Sequence, residues 1–168
     1  ASVRLLDAGA GVGSLTAAWV DEVCRRPMRP KSVHIVAYEL DTTLIEHLET
    51  TLDDCRARCR REGITVTTEV RAEDFLEAGA DALQMAMFRD GHDIYDHAIV
   101  NPPYRKLRSD SRTRSLLRMV GIESTNLYSA FLSIIIRFLR DGGELTMITP
   151  RSFCNGPYFR PFRREFLA

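Results

Sequence analysis

Five short runs rich in β-branched and other apolar residues punctuate this chain: SVRLLDA, VHIVAYEL, ITVTTEV, YDHAIV and ELTMITP. Between them lie stretches with a different period. Leu15, Ala18, Trp19 and Val23 recur at helical spacing in an expected helix from about Ser14 to Arg26. Leu44, Ile45, Leu48 and Leu52 do so in a second, with Asp41 suited to cap its start and Gly63 to end it. A third, NLYSAFLSIIIRFLRDGG, is apolar almost throughout and is expected to close at Gly142 and Gly143. Strands that alternate with helices build βαβ units, whose crossovers are right-handed and whose sheet is parallel and covered on both faces. The pattern therefore predicts an α/β fold with a doubly wound, mostly parallel sheet. RAEDFLEAG reads as a loop, Pro150 as the stop of the fifth strand, and residues 105–122, polar and basic, as the least ordered part.

Length fits one domain: 168 residues with 45% hydrophobic content can bury a sizeable core. No apolar run reaches the roughly 18 residues that a transmembrane helix needs, so no membrane association is expected. Cys24, Cys55, Cys59 and Cys154 form no zinc-type spacing and are expected to be free thiols in a reducing cytoplasm; no metal site is expected. The first strand begins almost at once, without Met or a signal-peptide pattern, and FRREFLA stops inside a helix-like stretch. A fragment incomplete at both ends is the expectation. Neutral net charge conceals an asymmetry: residues 1–103 hold 11 Lys and Arg against 18 Asp and Glu, residues 104–168 hold 12 against 5. A polyanionic partner approaching the second half would account for it.

Ligands of open α/β sheets bind outside the carboxyl ends of the strands. Four such ends carry unusual residues: Asp7 with Gly9, Gly11 and Gly13; Glu39-Leu40-Asp41; Asp74-Phe75; and Asn101-Pro102-Pro103-Tyr104. Glycines let a backbone approach a ligand closely, and the helix start behind them offers unpaired N–H groups. The G-x-G-x-G spacing differs from the dinucleotide G-x-G-x-x-G. Taken alone, Glu39 is either an acceptor for ribose hydroxyls or an ordinary solvated charge, and Asp74 either a ligand or a turn residue. Two prolines after a strand can simply stop it, or can hold the preceding carbonyl rigidly.

In combination these segments resemble the SAM-dependent (S-adenosyl-L-methionine) methyltransferases that modify the exocyclic N6 amino group of adenine in DNA. The likeness is to the bacterial restriction–modification group with NPPY clamps, whose motif order puts the SAM loop first and the target-recognition domain last. It continues through NLYSAFL, FLRDGGELTMITPRSF and GPYFRPFR, over about residues 4–166. The resemblance implies a Rossmann-like methyltransferase fold, with residues 1–168 as a single catalytic core. Its SAM-binding half would be 1–95 and its clamp and basic insertion 96–168, without a target-recognition domain. It implies that Asp7 and Gly9 face the methionine part of SAM, Glu39 holds the ribose, and Leu40 and Phe75 flank the adenine. Asp74 would accept from the adenine amino group. Phe131 either closes that pocket or is a core aromatic. At the clamp, the Asn101 side chain and the Pro102 carbonyl would accept from a flipped adenine, Pro103 would stiffen the turn, and Tyr104 would stack. Arg105, Lys106, Arg108, Arg112, Arg114 and Arg118 either contact DNA phosphates or form a solvated loop. His92 and His97 read as structural. The partners implied are double-stranded DNA and a fused or separate restriction endonuclease.

Other readings share parts of this pattern. An RNA base methyltransferase or a protein-glutamine methyltransferase uses the same clamp for a planar amino group. A non-catalytic DNA-binding specificity module could sit on a methyltransferase core. A nicotinamide oxidoreductase leaves the NPPY stretch unexplained.

Overall fold

A computed structural model of the chain describes residues 1–88, 92–108 and 110–149. In chain order its elements are β1 (Ser2–Ala8), α1 (Ser14–Arg25), β2 (Ser32–Tyr38), α2 (Thr42–Arg61), β3 (Thr65–Arg71), α3 (Phe75–Ala86), β4 (Tyr95–Val100), α4 (Arg112–Met119), α5 (Leu127–Phe138) and β5 (Leu139–Met147). The sheet order is β3-β2-β1-β4-β5 and every neighbouring pair is parallel. The chain winds outward from β1 to β3, then crosses back to β4 on the other side of β1. The carboxyl ends of β1 and β4 thus flank the switch point, where the connections diverge and a crevice opens.

Each face of the sheet buries its own apolar cluster. Leu6, Ala8, Val36, Ala98 and Val100 meet Leu76 and Ala80 of α3 and Ile134 and Ile135 of α5. On the opposite face Leu5, Ile35, Ala37 and Ile99 meet Val20 of α1 and Leu48, Leu52 and Cys59 of α2. Burial on both sides is why β1, β2 and β4 read as nearly continuous apolar runs. β3, at the edge, alternates instead. Asp41 caps α2 through Thr43 N–H, and Gly63 follows its end in a left-handed conformation, both as expected.

Several expectations need correction. The buried residues of α1 are Thr16, Val20, Val23 and Cys24, while Leu15 and Trp19 are half-buried and Ala18 is exposed. The stretch read as a loop at RAEDFLEAG instead starts α3: Asp74 Oδ1 accepts from Leu76 N–H at 2.8 Å and from Glu77 N–H at 3.2 Å. Gly79 disguises that helix, since glycine disfavours a helix interior by about 1 kcal/mol relative to alanine. Its place is set by packing, because a Cβ there would lie 2.7 Å from Ile134 Cγ2 on α5.

The basic stretch 105–122 is also more ordered than its polarity suggests. Ser111 caps α4, and Leu117 and Ile122 are buried against the α3–α5 layer. Its two ends are pinned together: Leu107 N–H donates to the Thr125 carbonyl at 3.0 Å and Leu127 N–H to the Arg105 carbonyl at 2.9 Å. Finally, α5 ends at Phe138, short of the glycines. Leu139 already pairs with Tyr95, and Arg140 to Gly143 are accommodated as a register shift before Glu144 pairs with His97. Asp96 fills that irregularity, accepting from Arg4 N–H at 2.7 Å and Arg140 Nε at 2.5 Å. Pro150, Cys154 and the segment RSFCNGPYFRPFR lie outside the described residues.

Candidate active site

Behind β1 the chain reverses through Gly9, Gly11 and Gly13, all at positive φ, where an L side chain would be strained. The turn is tied down from several sides. Gly9 and Ala10 N–H donate to the Tyr38 carbonyl at 3.0 and 2.8 Å. The Thr51 hydroxyl donates to the Val12 carbonyl at 2.7 Å. Gly11 N–H donates to Glu39 Oε2 at 2.6 Å, while Glu39 Oε1 accepts from Asp41 N–H at 2.7 Å. Glu39 is therefore a strut between the glycine turn and the start of α2, with lone pairs left on both oxygens.

A cavity of about 410 Å3 opens at the strand ends and joins the two halves of the chain. Gly9, Glu39, Leu40, Asp74 and Phe75 line it from the first half, Asn101, Pro103 and Phe131 from the second. Tyr38 meets Phe75 edge-on with ring centroids 5.1 Å apart, and Phe75 lies 5.2 Å from Phe131. Both hydrogen bonds of Asp74 use Oδ1, so Oδ2 has no protein partner among the described residues. Sequence reasoning missed Tyr38, Glu73, Leu76 and Leu127 as walls. Tyr38 and Glu73 immediately precede Glu39 and Asp74, and strand-end adjacency was the signal that could have found them. Arg105, expected on a DNA-facing surface, also lines this cavity.

Asp7 stands elsewhere. It is fully buried and is not among the cavity walls. Oδ2 accepts from the Thr16 hydroxyl at 2.6 Å, and Oδ1 has no partner among the described residues. Burial pushes its pKa up to about 7, Thr16 partly offsets this, and the charge of Glu39 adds to it. Gly11 and Gly13 likewise shape the turn from outside the cavity, and a Cβ on Gly13 would meet Leu48 and Thr51 at 3.0 Å.

The clamp leaves the sheet directly from buried β4. Asn101, Pro103 and Tyr104 are exposed and Pro102 is buried. The Tyr104 hydroxyl donates to the Ile148 carbonyl at 3.0 Å and stands 3.3 Å from Asn101 Oδ1, with the Tyr128 ring 6.2 Å away. Beyond it, Arg108, Arg112 and Arg118 reach Asp110, Glu77 and Glu123 at 3.7 to 3.8 Å. Arg105, Lys106 and Arg114 have no ion pair among the described residues. His92 is bonded to the Arg137 carbonyl at 2.7 Å, and His97 packs on Trp19 beside Glu144; neither lines the cavity. Cys24, Cys55 and Cys59 are free and buried. Among the described residues no cluster of His, Cys, Asp or Glu could hold a metal ion, and no helix is long and apolar enough to cross a membrane.

The sequence pattern of the Eco57I restriction-modification methylase family matches residues 31–168. The chain is 43% identical over 164 residues to the type II methyltransferase M.PstI of Providencia stuartii, covering 98% of this chain and 31% of that protein. To M.BsuBI of Bacillus subtilis, also a type II methyltransferase, it is 39% identical over 168 residues, covering 99% and 32%. The chain thus spans about a third of the length of these relatives. Among solved structures, a candidate class I S-adenosylmethionine-dependent methyltransferase of Listeria monocytogenes superposes with a TM-score of 0.67 at 16% identity, over 99% of this chain and 45% of that one. At that identity the likeness establishes the fold, a Rossmann-like methyltransferase fold.

Proposed function

This chain belongs to the Eco57I restriction-modification methylase family, and from that premise we propose that it is the catalytic core of a DNA methyltransferase that uses SAM and modifies the N6 amino group of a flipped adenine. The observation that carries the reading is the single cavity shared by Glu39, Asp74 and Phe75 with Asn101 and Pro103. A nucleoside-bearing ligand and a planar amino group can meet there.

The walls suit SAM. About 410 Å3 lies within the roughly 300–1,000 Å3 of small-molecule pockets. Glu39 keeps lone pairs for ribose hydroxyls, and Asp74 keeps an unpartnered oxygen for an exocyclic amine. Leu40, Phe75 and Phe131 offer apolar faces for a purine. When bound, SAM supplies an electrophilic methyl group on a sulfonium.

The chain's own groups then supply position and polarity. An adenine amino lone pair is delocalised into the ring and is a weak nucleophile. Two acceptors, one for each amino hydrogen, favour pyramidal nitrogen and turn the lone pair toward the methyl group. The Asn101 Oδ1 and the Pro102 carbonyl fill those roles, and the prolines hold the carbonyl still. No strong base is required, because the proton can leave after nitrogen becomes cationic. Tyr104 presents a ring on which the extruded base can stack, a contact worth about 1–3 kcal/mol. Arg105 and Lys106, unpaired beside the clamp, suit a phosphate backbone better than a glutamine-bearing protein.

In a cell, double-stranded DNA is the substrate and a restriction endonuclease, fused or separate, the partner that such a system implies. The intact protein incubated with methyl-labelled SAM and duplex DNA should yield N6-methyladenine on nucleoside analysis. Label in cytosine, RNA or protein alone, or no label at all, would refute the assignment. These 168 residues by themselves should be weakly active or inactive on DNA; robust site-specific methylation by them would contradict that.

A further inference from the structure

Arg71 does not line the cavity but holds one of its walls, Tyr38. Tyr38 ends β2 and serves the site twice. Its carbonyl accepts from Gly9 and Ala10 N–H, and it lines the cavity with its ring set edge-on against Phe75, another wall. That ring is 3% exposed, so its hydroxyl needs a protein partner. The partner is Arg71, at the end of edge strand β3: Nη1 donates to the Tyr38 hydroxyl and the guanidinium lies 5.3 Å from the ring centroid. The Arg71 carbonyl accepts from Glu39 N–H at 3.1 Å. One residue thus braces the two strand-end residues that shape the ribose side of the cavity.

Arg71 is itself held. Its Nε donates to Glu69 Oε1 at 2.6 Å and its Nη2 to Asp93 Oδ2 at 3.1 Å, and Asp93 accepts in turn from Arg4 at 2.8 Å. This chain of charges crosses the sheet face beneath the cavity, from β3 through the segment before β4 to β1. Burial raises the Tyr38 hydroxyl pKa and Arg71 opposes that rise, so the hydroxyl stays protonated and accepts from the guanidinium. Burial would also raise Asp93, but its two arginine partners hold it below the usual carboxylate range.

We propose that Arg71 is a positioning residue for the methyl donor: acting through the Tyr38 hydroxyl, it sets the ring of a residue that lines the SAM cavity. The proposal rests on the cavity being the SAM site. Arg71 touches neither donor nor target, so it governs cofactor affinity and leaves the transfer step alone.

The test is calorimetric titration of SAM into the intact protein, paired with kcat at saturating SAM. Arg71→Met and Tyr38→Phe should each weaken SAM binding by about tenfold, the worth of one hydrogen bond to a charged group. The double variant should bind no worse than either single, because both remove the same contact. Arg71→Lys should recover part of the affinity. Glu69→Gln, which removes the charge of an outward partner of Arg71 and leaves the Tyr38 contact, should bind like wild type. In Arg71→Met and Glu69→Gln, neither of which alters a cavity wall, kcat should change by less than about twofold, since uniform binding is lost. Unchanged affinity in Arg71→Met, multiplicative losses in the double variant, or an equal loss in Glu69→Gln would each overturn the proposal. Failure of the wild-type protein to bind SAM would instead remove the reading of the cavity, and this inference with it.

Discussion

The glycine turn and the clamp are built in opposite ways. At the turn, polar backbone groups are spent within the protein: Gly9, Ala10 and Gly11 N–H all have partners, and Glu39 uses both oxygens to join the turn to α2. At the clamp, Asn101 is exposed and its oxygen has only the Tyr104 hydroxyl at 3.3 Å. The first region is stiff before any ligand arrives; the second keeps its acceptors open. The difference suits the proposed division of labour. A loop that cradles a donor gains from preorganisation, whereas acceptors aimed at a reacting amine must be free to take its hydrogens.

The largest expected effect tests the open half. Asn101→Ala in the intact protein should lower methyl transfer by about 100- to 1,000-fold, the range for loss of one preorganised polar group at a reacting centre. SAM affinity should stay within about twofold of wild type, because the turn does not depend on Asn101. Transfer at near-normal rate, measured by label incorporation into DNA, would break the assignment of the clamp.

The stiff half carries a strain of its own, visible at Asp7. Its pKa of about 7 in the folded chain lies above the ordinary 3.8. Between those values the folded chain binds a proton that the unfolded chain does not, so stability should fall as pH rises through that window and stay lower above it. Asp7→Asn cannot ionise and can still accept from Thr16. The variant should therefore gain on wild type between pH 4 and 8 by at most about 4 kcal/mol. Denaturant unfolding at several pH values reads the slope; parallel curves for the two proteins would show that Asp7 is not buried as described. Gly13→Ala tests the same stiffness from the other side. A Cβ 3.0 Å from Leu48 and Thr51, at a φ of +85°, should destabilise the fold by about 1–3 kcal/mol. A midpoint unchanged in urea would mean that the turn yields easily.

What the sequence disclosed follows the same division. Glycines, Asp41 as a cap, and the two prolines are local signals with local causes, and the turn, α2 and the end of β4 were legible from them. α3 was not, because Gly79 weakens the helical pattern for a reason that exists only in three dimensions, the approach of Ile134. The end of α5 was misread for a similar reason: Leu139 has helical neighbours in sequence but a strand neighbour, Tyr95, in space. At the site, the strand ends singled out Glu39, Asp74 and Asn101, which line one cavity, and Asp7, which is buried outside its walls. Both neighbours of the turn are acids near its glycines, and only the side of β1 on which Asp7 lies separates them. Burial on the α1 side makes one acid a partner of Thr16 and leaves the other at the cavity.

The smallest expected effect distinguishes the cations beyond the clamp. Lys106 adjoins the clamp and has no ion pair among the described residues, whereas Arg118 lies near the end of α4 beside Glu123 at 3.7 Å. Each phosphate contact by a cation contributes a slope of about 0.9 to the fall of log affinity with log salt on duplex DNA. Lys106→Gln in the intact protein should reduce that slope by about one contact and weaken binding similarly on all sequences. Arg118→Gln should leave the slope unchanged, since Arg118 is already paired with Glu123 at 3.7 Å. Equal slopes for Lys106→Gln and wild type would confine DNA contact to the open acceptors and to Arg105 inside the cavity. An effect of Arg118→Gln as large as that of Lys106→Gln would extend the phosphate track along α4, and the contrast between a stiff cradle and an open clamp would then need a third, broader surface beside it.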